Sequence, residues 1–157
     1  MNAPILAEED LLAAIRRERA DGKTIAFANG IFDLLHVGHV RYLRAAANEA
    51  DVLVVGVNSD ASTKMLKGEG RPLMNESERA EIVSALRGVG YVTVFEERSP
   101  AELIAKIQPD VHCKGTDYTA ENVPEGEIVR SYGGRIAIVG DPKDHSTTDV
   151  IGRLRKQ

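Results

Sequence analysis

In the stretch from Asn29 to Ala46, NGIFDLLHVGHVRYLRAA, two imidazoles stand three residues apart across a glycine. Residues at that spacing share a helix face, so a helix opening at Val37 or Gly38 turns His36 and His39 toward its N-terminus and toward each other. The unsatisfied N–H groups and the positive end of the helix dipole point the same way. Gly38 leaves the backbone open to a close ligand. Such a site suits an anion, above all a phosphate. Asn29-Gly30 adds a turn able to bring further backbone donors near. The pair has two other readings. One is a zinc site, which needs more ligands than the neighbourhood offers. The other is structural, with one histidine capping and the other buried.

Three further groups carry possible chemistry. Lys67 and Arg71 flank Gly68 and Gly70 in KGEGR, either a mobile basic loop able to close over substrates or a solvated turn. KGTDY, from Lys114 to Tyr118, follows a strand-like run; its bland alternative is a turn with Asp117 as local cap. Ser146, Thr147 and Thr148 precede the last helical pattern, offering hydroxyls and a second positive helix end, or caps alone. Arg79 either supports the site or is a helix surface charge. Cys113 reads as a small buried hydrophobe rather than a nucleophile.

Elements must hold these residues in place. TIAFA (Thr24–Ala28), VLVVGV (Val52–Val57), YVTVF (Tyr91–Phe95), VHCK (Val111–Lys114) and RIAIV (Arg135–Val139) read as strands. They are apolar and β-branched throughout, as strands covered on both faces should be. Helical spacing lies between them: Val40, Leu43 and Ala47, then Ile82, Ala85 and Leu86. Asn75 with Glu78, and Ser99-Pro100 with Glu102, resemble capping boxes. Strands alternating with helices imply an α/β fold, a doubly wound parallel five-stranded sheet with helices on both faces. Ligands of such sheets sit beyond the carboxyl ends of the strands, where strand order reverses. The histidine motif follows the first strand.

The 157 residues suit one domain, 43% hydrophobic and 28% charged. A net charge of −4 gives no overall basic field toward nucleic acid or anionic membranes. The single cysteine makes no internal disulfide and fits a reducing compartment. The start, MNAPILAEEDLL, carries acids where a secretory signal carries bases. No apolar run approaches the ~18–20 residues of a membrane span. A cytoplasmic domain is expected.

The stretch FANGIFDLLHVGHVRYLRAA resembles the signature of the cytidylyltransferase-like nucleotidyltransferases, whose motif is H-x-G-H. The likeness continues through VVGVNSDASTKMLKGEGRPLMNESERAEIVSALRGVGYVTVFEE, KGTDYT and STT, nearly all of the chain from Lys23 onward. Within that family it is most similar to the heptose 1-phosphate adenylyltransferases, which make ADP-heptose for lipopolysaccharide and related bacterial glycans. LKGEGRP, KGTDY and STT in register carry that narrower likeness. The resemblance implies a Rossmann-like fold and a single nucleotidyltransferase domain over 1–157, with an N-terminal helix over 1–22 and the core over 23–157. The implied reaction joins a nucleoside triphosphate, ATP by the likeness, to a sugar 1-phosphate, D-glycero-D-manno-heptose 1-phosphate, with release of pyrophosphate.

Roles carried over in this way make His36, His39, Lys67 and Arg71 catalytic. Ala28, Asn29, Gly30, Ile31, Phe32, Gly38 and His39 fall to the nucleotide, with Lys114, Gly115, Asp117, Ser146, Thr147 and Thr148. Asp33, Lys67, Arg71, Asp117 and Tyr118 fall to the sugar phosphate. Mg²⁺ accompanies the triphosphate, held by phosphate and water with no protein metal site; Asp33 either touches it or serves as a turn residue. Partners are small molecules, with no nucleic acid and no membrane, and a homodimer is expected. Thr116 stands where heptose enzymes commonly have glycine, and Ile31 where they have Cys or Val. GDPKDHSTT is this chain's own version of a variable loop. Many relatives carry a sugar kinase domain in front, for which 157 residues leave no room, so another protein would supply the phosphorylated substrate. The alternatives are a cytidylyltransferase acting on glycerol 3-phosphate or a similar phosphorylated alcohol, and a non-catalytic nucleotide-binding module.

Overall fold

Ile25, Ala26, Phe27 and Ala28 are fully buried and point alternately to opposite sides of their strand. Ala26 and Ala28 pack with Leu43, Ala46, Ala80 and Val83. Ile25 and Phe27 pack with Leu11, Ile15, Leu103, Ile104, Ile107 and Val129. Burial of a large aliphatic or aromatic side chain contributes ~1.5–3 kcal/mol, so a strand apolar on both faces demands a helical layer on each. The computed structural model, which describes residues 1–142 and 146–157, has that arrangement. Lys143, Asp144 and His145 of the expected variable loop lie outside the described residues.

The sheet contains β1 (Ile25–Gly30), β2 (Val52–Asn58), β3 (Val89–Phe95), β4 (Val111–Lys114) and β5 (Arg135–Ile138). The order is β3-β2-β1-β4-β5, with every pairing parallel. One face carries α1 (Glu8–Ala20), α5 (Ala101–Ile107) and α6 (Gly126–Ser131). The other carries α2 (Val37–Ala47) and α4 (Glu76–Ser84). Two further helices, α3 (Asp60–Lys67) and α7 (Thr147–Arg155), follow β2 and β5. The chain steps from β1 outward to β2 and β3, then returns to the other side of β1 for β4 and β5. Order therefore reverses between β1 and β4, and the crevice for a ligand opens above their carboxyl ends.

Several boundaries differ from the sequence reading. β1 continues through Asn29 and Gly30, which pair with Gly56 and Val57, so the turn begins only at Ile31. The N-terminal helix covers Glu8–Ala20 rather than 1–22. Residues 3–6 instead run along β3: Leu6 donates to the Val92 carbonyl at 2.8 Å and Val92 to that of Pro4 at 2.9 Å. An edge strand's vacant backbone groups favour such pairing, and Pro4 contributes only the acceptor it has. Asn75 caps α4 as expected, accepting the Glu78 N–H at 2.9 Å. The box expected at Ser99 is not made, because Pro100 is the N-cap of α5 and Ser99 accepts the Ala101 N–H at 3.2 Å instead.

Candidate functional site

The turn between β1 and α2 is shaped by two residues. Phe32 takes the left-handed conformation, φ 53°. Its ring lies against Gly30, where an added Cβ would come within 3.0 Å of it. A glycine is needed there for space rather than for φ. The Phe32 ring then meets the His39 imidazole edge to face, centroids 5.5 Å apart.

His36 is the N-cap of α2. Its Nδ1 accepts the Gly38 N–H at 3.1 Å, and the Nδ1 of His39 accepts the His36 N–H at 3.3 Å. The rings stack with centroids 3.9 Å apart. An amide N–H only donates, so each Nδ1 presents a lone pair and each Nε2 carries the proton. Each imidazole thus carries its proton on Nε2, at the positive end of a helix. A metal on Nε2 requires the opposite tautomer, with Nδ1–H donating to an acceptor, which disfavours the zinc reading.

This turn is latched to the segment after α3. Asp33 is buried and accepts from Leu73 N and Met74 N, each at 3.0 Å to Oδ1, and from Arg71 Nε at 2.9 Å to Oδ2. Burial by itself raises the Asp33 carboxyl, but the two amides and the guanidinium outweigh it and hold the group below the ordinary carboxylate range. Beneath lies Arg79, fully buried. It donates to the carbonyls of Ile31 and Asn58, both at 2.7 Å, and of Met74 at 2.9 Å, and pairs with Asp60 at 2.8 Å. One guanidinium joins the histidine turn, the end of β2, the start of α3 and the Arg71 segment. A third tie comes from α7, where Thr147 Oγ1 donates to the Leu34 carbonyl at 3.0 Å.

A pocket of about 460 Å³ opens over this assembly. His36, Gly38 and His39 line it with Asn29, Gly30, Ile31 and Phe32. Lys67 and Arg71 line another wall; Lys114, Gly115, Asp117 and Tyr118 a third; Ser146, Thr147 and Thr148 close it. Ser146 caps α7 by accepting the Asp149 N–H at 3.0 Å, so a second helix N-terminus borders the pocket. Lys114 sits over the Tyr118 ring, 4.8 Å from its centroid. The Asn29 Oδ1, also buried, has no hydrogen-bond partner among the described residues.

Two residues expected at the ligand are placed elsewhere. Ala28 is fully buried inside the sheet and does not line the pocket. Asp33 is withheld from a sugar phosphate, both oxygens being committed to residues 71–74. The basic loop also divides. Lys67 is exposed and followed by Gly68 at φ 85°, whereas Arg71 is fixed by Asp33. Arg79, which the sequence left as either a support of the site or a helix surface charge, is interior. Sequence reasoning missed Tyr42, Asn58, Leu66, Val139, Gly140, Asp141 and Pro142 in the lining. Thr116, the departure from the family's glycine, has a local purpose: its hydroxyl donates to the Asp141 carbonyl at 2.7 Å, and Asp141 pairs with Arg41 at 2.6 Å. Burial pushes the Cys113 thiol up to about 12, leaving it no thiolate at neutral pH.

Among the described residues no three His, Cys, Asp or Glu side chains gather as a metal cage. No helix of the described residues is long and apolar enough to cross a membrane.

Comparison with known proteins identifies the family to which the chain is similar. Residues 27–153 match the family model described as cytidylyltransferase-like. The chain is 51% identical over 150 residues to the bifunctional protein HldE of Pelobacter propionicus, a match covering 95% of this chain and 31% of that one. It thus spans about a third of the length of such relatives. Among solved structures it is similar to the lipopolysaccharide core biosynthesis protein of Thermoplasma volcanium, TM-score 0.65 and 28% identity, over 78% of this chain and all of that one. Pantothenate synthetase of Thermus thermophilus shares the fold at TM-score 0.62 and 17% identity, over 91% of this chain and 63% of that one.

Proposed function

The chain belongs to the cytidylyltransferase-like family, and on that footing we propose that it transfers an adenylyl group from ATP to a heptose 1-phosphate, giving ADP-heptose and pyrophosphate. The observation that carries the reading is the meeting of two helix N-termini, two Nε2–H donors and three cationic side chains in one pocket at the strand-order switch. Such a surface favours two polyanions brought together. The likeness to heptose 1-phosphate adenylyltransferases in LKGEGRP, KGTDY and STT supports the substrate class.

The nucleophile is a phosphate oxygen of the sugar 1-phosphate, already an anion at neutral pH, so no strong general base is needed. That oxygen forms a bond to the α-phosphorus as the bond from α-phosphorus to the bridging oxygen breaks. The electron pair leaves with pyrophosphate. What remains for the protein is alignment and stabilisation of charge on the in-line transition state. His36 and His39 donate Nε2–H to oxygens of the reacting phosphorus. Arg71, held by Asp33, and Lys67, on its exposed segment, meet the phosphates of the two substrates from the facing wall. Lys114 and the α7 hydroxyls meet the nucleotide. Mg²⁺, when bound with the triphosphate, supplies further charge neutralisation.

The test is pyrophosphate release on mixing the protein with Mg²⁺, each of ATP, CTP and GTP, and heptose 1-phosphate, other sugar 1-phosphates or glycerol 3-phosphate. Release with ATP and heptose 1-phosphate is expected. Release confined to CTP and glycerol 3-phosphate would transfer the assignment to that chemistry, and binding without release would make the chain a nucleotide-binding module.

A further inference from the structure

Behind the Lys114 wall lies a cluster that the proposed reaction does not use. His112 on β4 is completely buried, its ring stacked on Phe27 with centroids 5.8 Å apart. Its Nε2 is 3.3 Å from Glu125 Oε2, and the same oxygen is 3.9 Å from Lys114 Nζ. Glu125 is the N-cap residue of α6 and is buried, with its side chain 6% exposed. The Lys114 side chain is 11% exposed and turned to the pocket. One carboxylate oxygen thus serves a histidine behind it and a lysine in front.

We propose that Glu125 is the positioning residue for Lys114, holding its ammonium at the pocket wall, with His112 as the neutral donor that fixes the carboxylate. The inference rests on Lys114 meeting a substrate anion, as in the proposed function.

Charge balance supports it. A buried ammonium is costly unless a counter-charge is close, and Glu125 is the carboxylate within 4 Å of Lys114 among the described residues. Burial pushes Lys114 below the ordinary lysine range; Glu125 and, more weakly, Asp117 push it back up. Burial also lowers His112, against the pull of Glu125, so the imidazole is neutral and donates Nε2–H. Among the described residues its Nδ1 has no hydrogen-bond partner. Burial alone would raise Glu125, but His112 and Lys114 outweigh it and keep the carboxyl ionised. The cluster carries one negative and one positive charge, sum zero.

Other groups face it from each neighbouring element. Tyr42 of α2 donates its hydroxyl to the Cys113 carbonyl at 2.8 Å, and burial keeps that phenol protonated. Asp117 and the Tyr118 ring come from the loop after β4. Arg130 of α6 lies against Gly126 but makes no ion pair with Glu125 among the described residues. Glu125 therefore carries the largest share of what keeps Lys114 charged.

The experiment is a ¹³C NMR titration of protein labelled at lysine Cε, with the Lys114 signal assigned from Lys114→Met, in the full chain and in Glu125→Gln. Loss of an opposite charge at this distance lowers a lysine pKa by about one unit or more. The Lys114 midpoint should fall by that amount, and the alkaline limb of kcat/KM should move to lower pH with it. Glu125→Asp, which restores the charge one methylene back, should recover part of the shift. A midpoint unchanged in Glu125→Gln overturns the proposal, because a merely structural glutamate would alter stability and leave Lys114 where it was. If the titration shifts while the unmodified protein releases no pyrophosphate, the positioning pair stands and the reaction assignment fails. Should Glu125→Gln not fold, Lys114→Met gives the converse reading. The His112 midpoint should rise once the neighbouring cation is gone, and a fixed midpoint would refute the shared carboxylate.

Discussion

At the amino ends of the strands, Asp51 accepts the Thr24 N–H and hydroxyl at 2.8 and 2.9 Å, and Asp110 accepts the Ile25 N–H at 2.7 Å. At the carboxyl ends, Asp33, Asp60 and Glu125 face Arg71, Arg79 and Lys114. These two amino-end carboxylates meet only neutral donors, whereas each of the three at the carboxyl end also meets a side-chain cation. A carboxylate on a strand's first N–H satisfies a donor that the parallel ladder leaves over, and its contribution stops there. A carboxylate on a cation fixes where that cation's charge points. The amino end should therefore fail as stability and the carboxyl end as turnover.

The largest effect should come from Arg79, where the two kinds of failure coincide. Arg79→Met strips donors from the carbonyls of Ile31, Asn58 and Met74 and leaves Asp60 alone. We expect a loss of about 4 kcal/mol of unfolding free energy by urea titration, together with a fall in turnover. Full turnover in a folded Arg79→Met protein would mean that the site does not depend on this girder. Next comes His39→Ala, which removes one Nε2–H from the reacting phosphorus. Turnover should fall by about 10²-fold, or roughly 3 kcal/mol of transition-state stabilisation, with thermal stability nearly kept. Near-normal turnover would remove the histidines from the chemistry.

These residues differ in how visible they are in the sequence. The strands were legible because each is apolar on both faces, and that pattern admits few folds. The histidine turn was legible because its residues are adjacent in the chain; the helix start was placed at Val37 or Gly38, and α2 begins at Val37. Arg79 was legible only as a choice between support of the site and a surface charge, because in ESERAEI it has the look of a solvated helix face. What buries it is three carbonyls from segments as far as 48 residues away. Asp33 offered a choice between ligand contact and turn residue, but its real partners lie 38 to 41 residues on. His112 and Glu125 are joined only when β4 and the start of α6 come together. The short helices α3 and α6, with 8 and 6 residues, are too brief for periodicity to register.

Asp33 sharpens the comparison at intermediate size. Asp33→Asn keeps the shape but turns an amide N–H₂ toward donors, and it should lower kcat/KM about tenfold, equivalent to ~1.4 kcal/mol, by loosening Arg71. The pH dependence has a definite sign. The folded carboxyl is held below its ordinary value, so its stabilisation is complete above the unfolded pKa of ~3.9 and fades as pH falls through the folded one. The stability gap between the two proteins should be constant from neutral pH to ~5 and close in more acid solution. A gap that widens in acid would show that Asp33 is not the ionised partner of Arg71.

Asp110 provides the smallest effect and the cleanest control. Its carboxylate makes one short hydrogen bond, to Ile25 N at the first residue of β1, on the rim opposite the pocket. The residue itself is exposed, so in Asp110→Ala water can partly replace the lost acceptor. The penalty should stay near 1 kcal/mol, the net worth of one hydrogen bond rather than the cost of a stranded buried donor. For a chain of this length that is a fall in Tm of about 2–4 °C. Nothing in the pocket is bonded to this aspartate, and the pairing of Asn29 and Gly30 with β2 holds the far end of β1 in place. The turnover of Asp110→Ala, measured well below its melting temperature, should therefore equal that of the unmodified protein. A parallel fall in turnover would mean that displacement of the strand's start reaches the histidine turn through β1, and the division of labour between the two ends of the sheet would then be wrong.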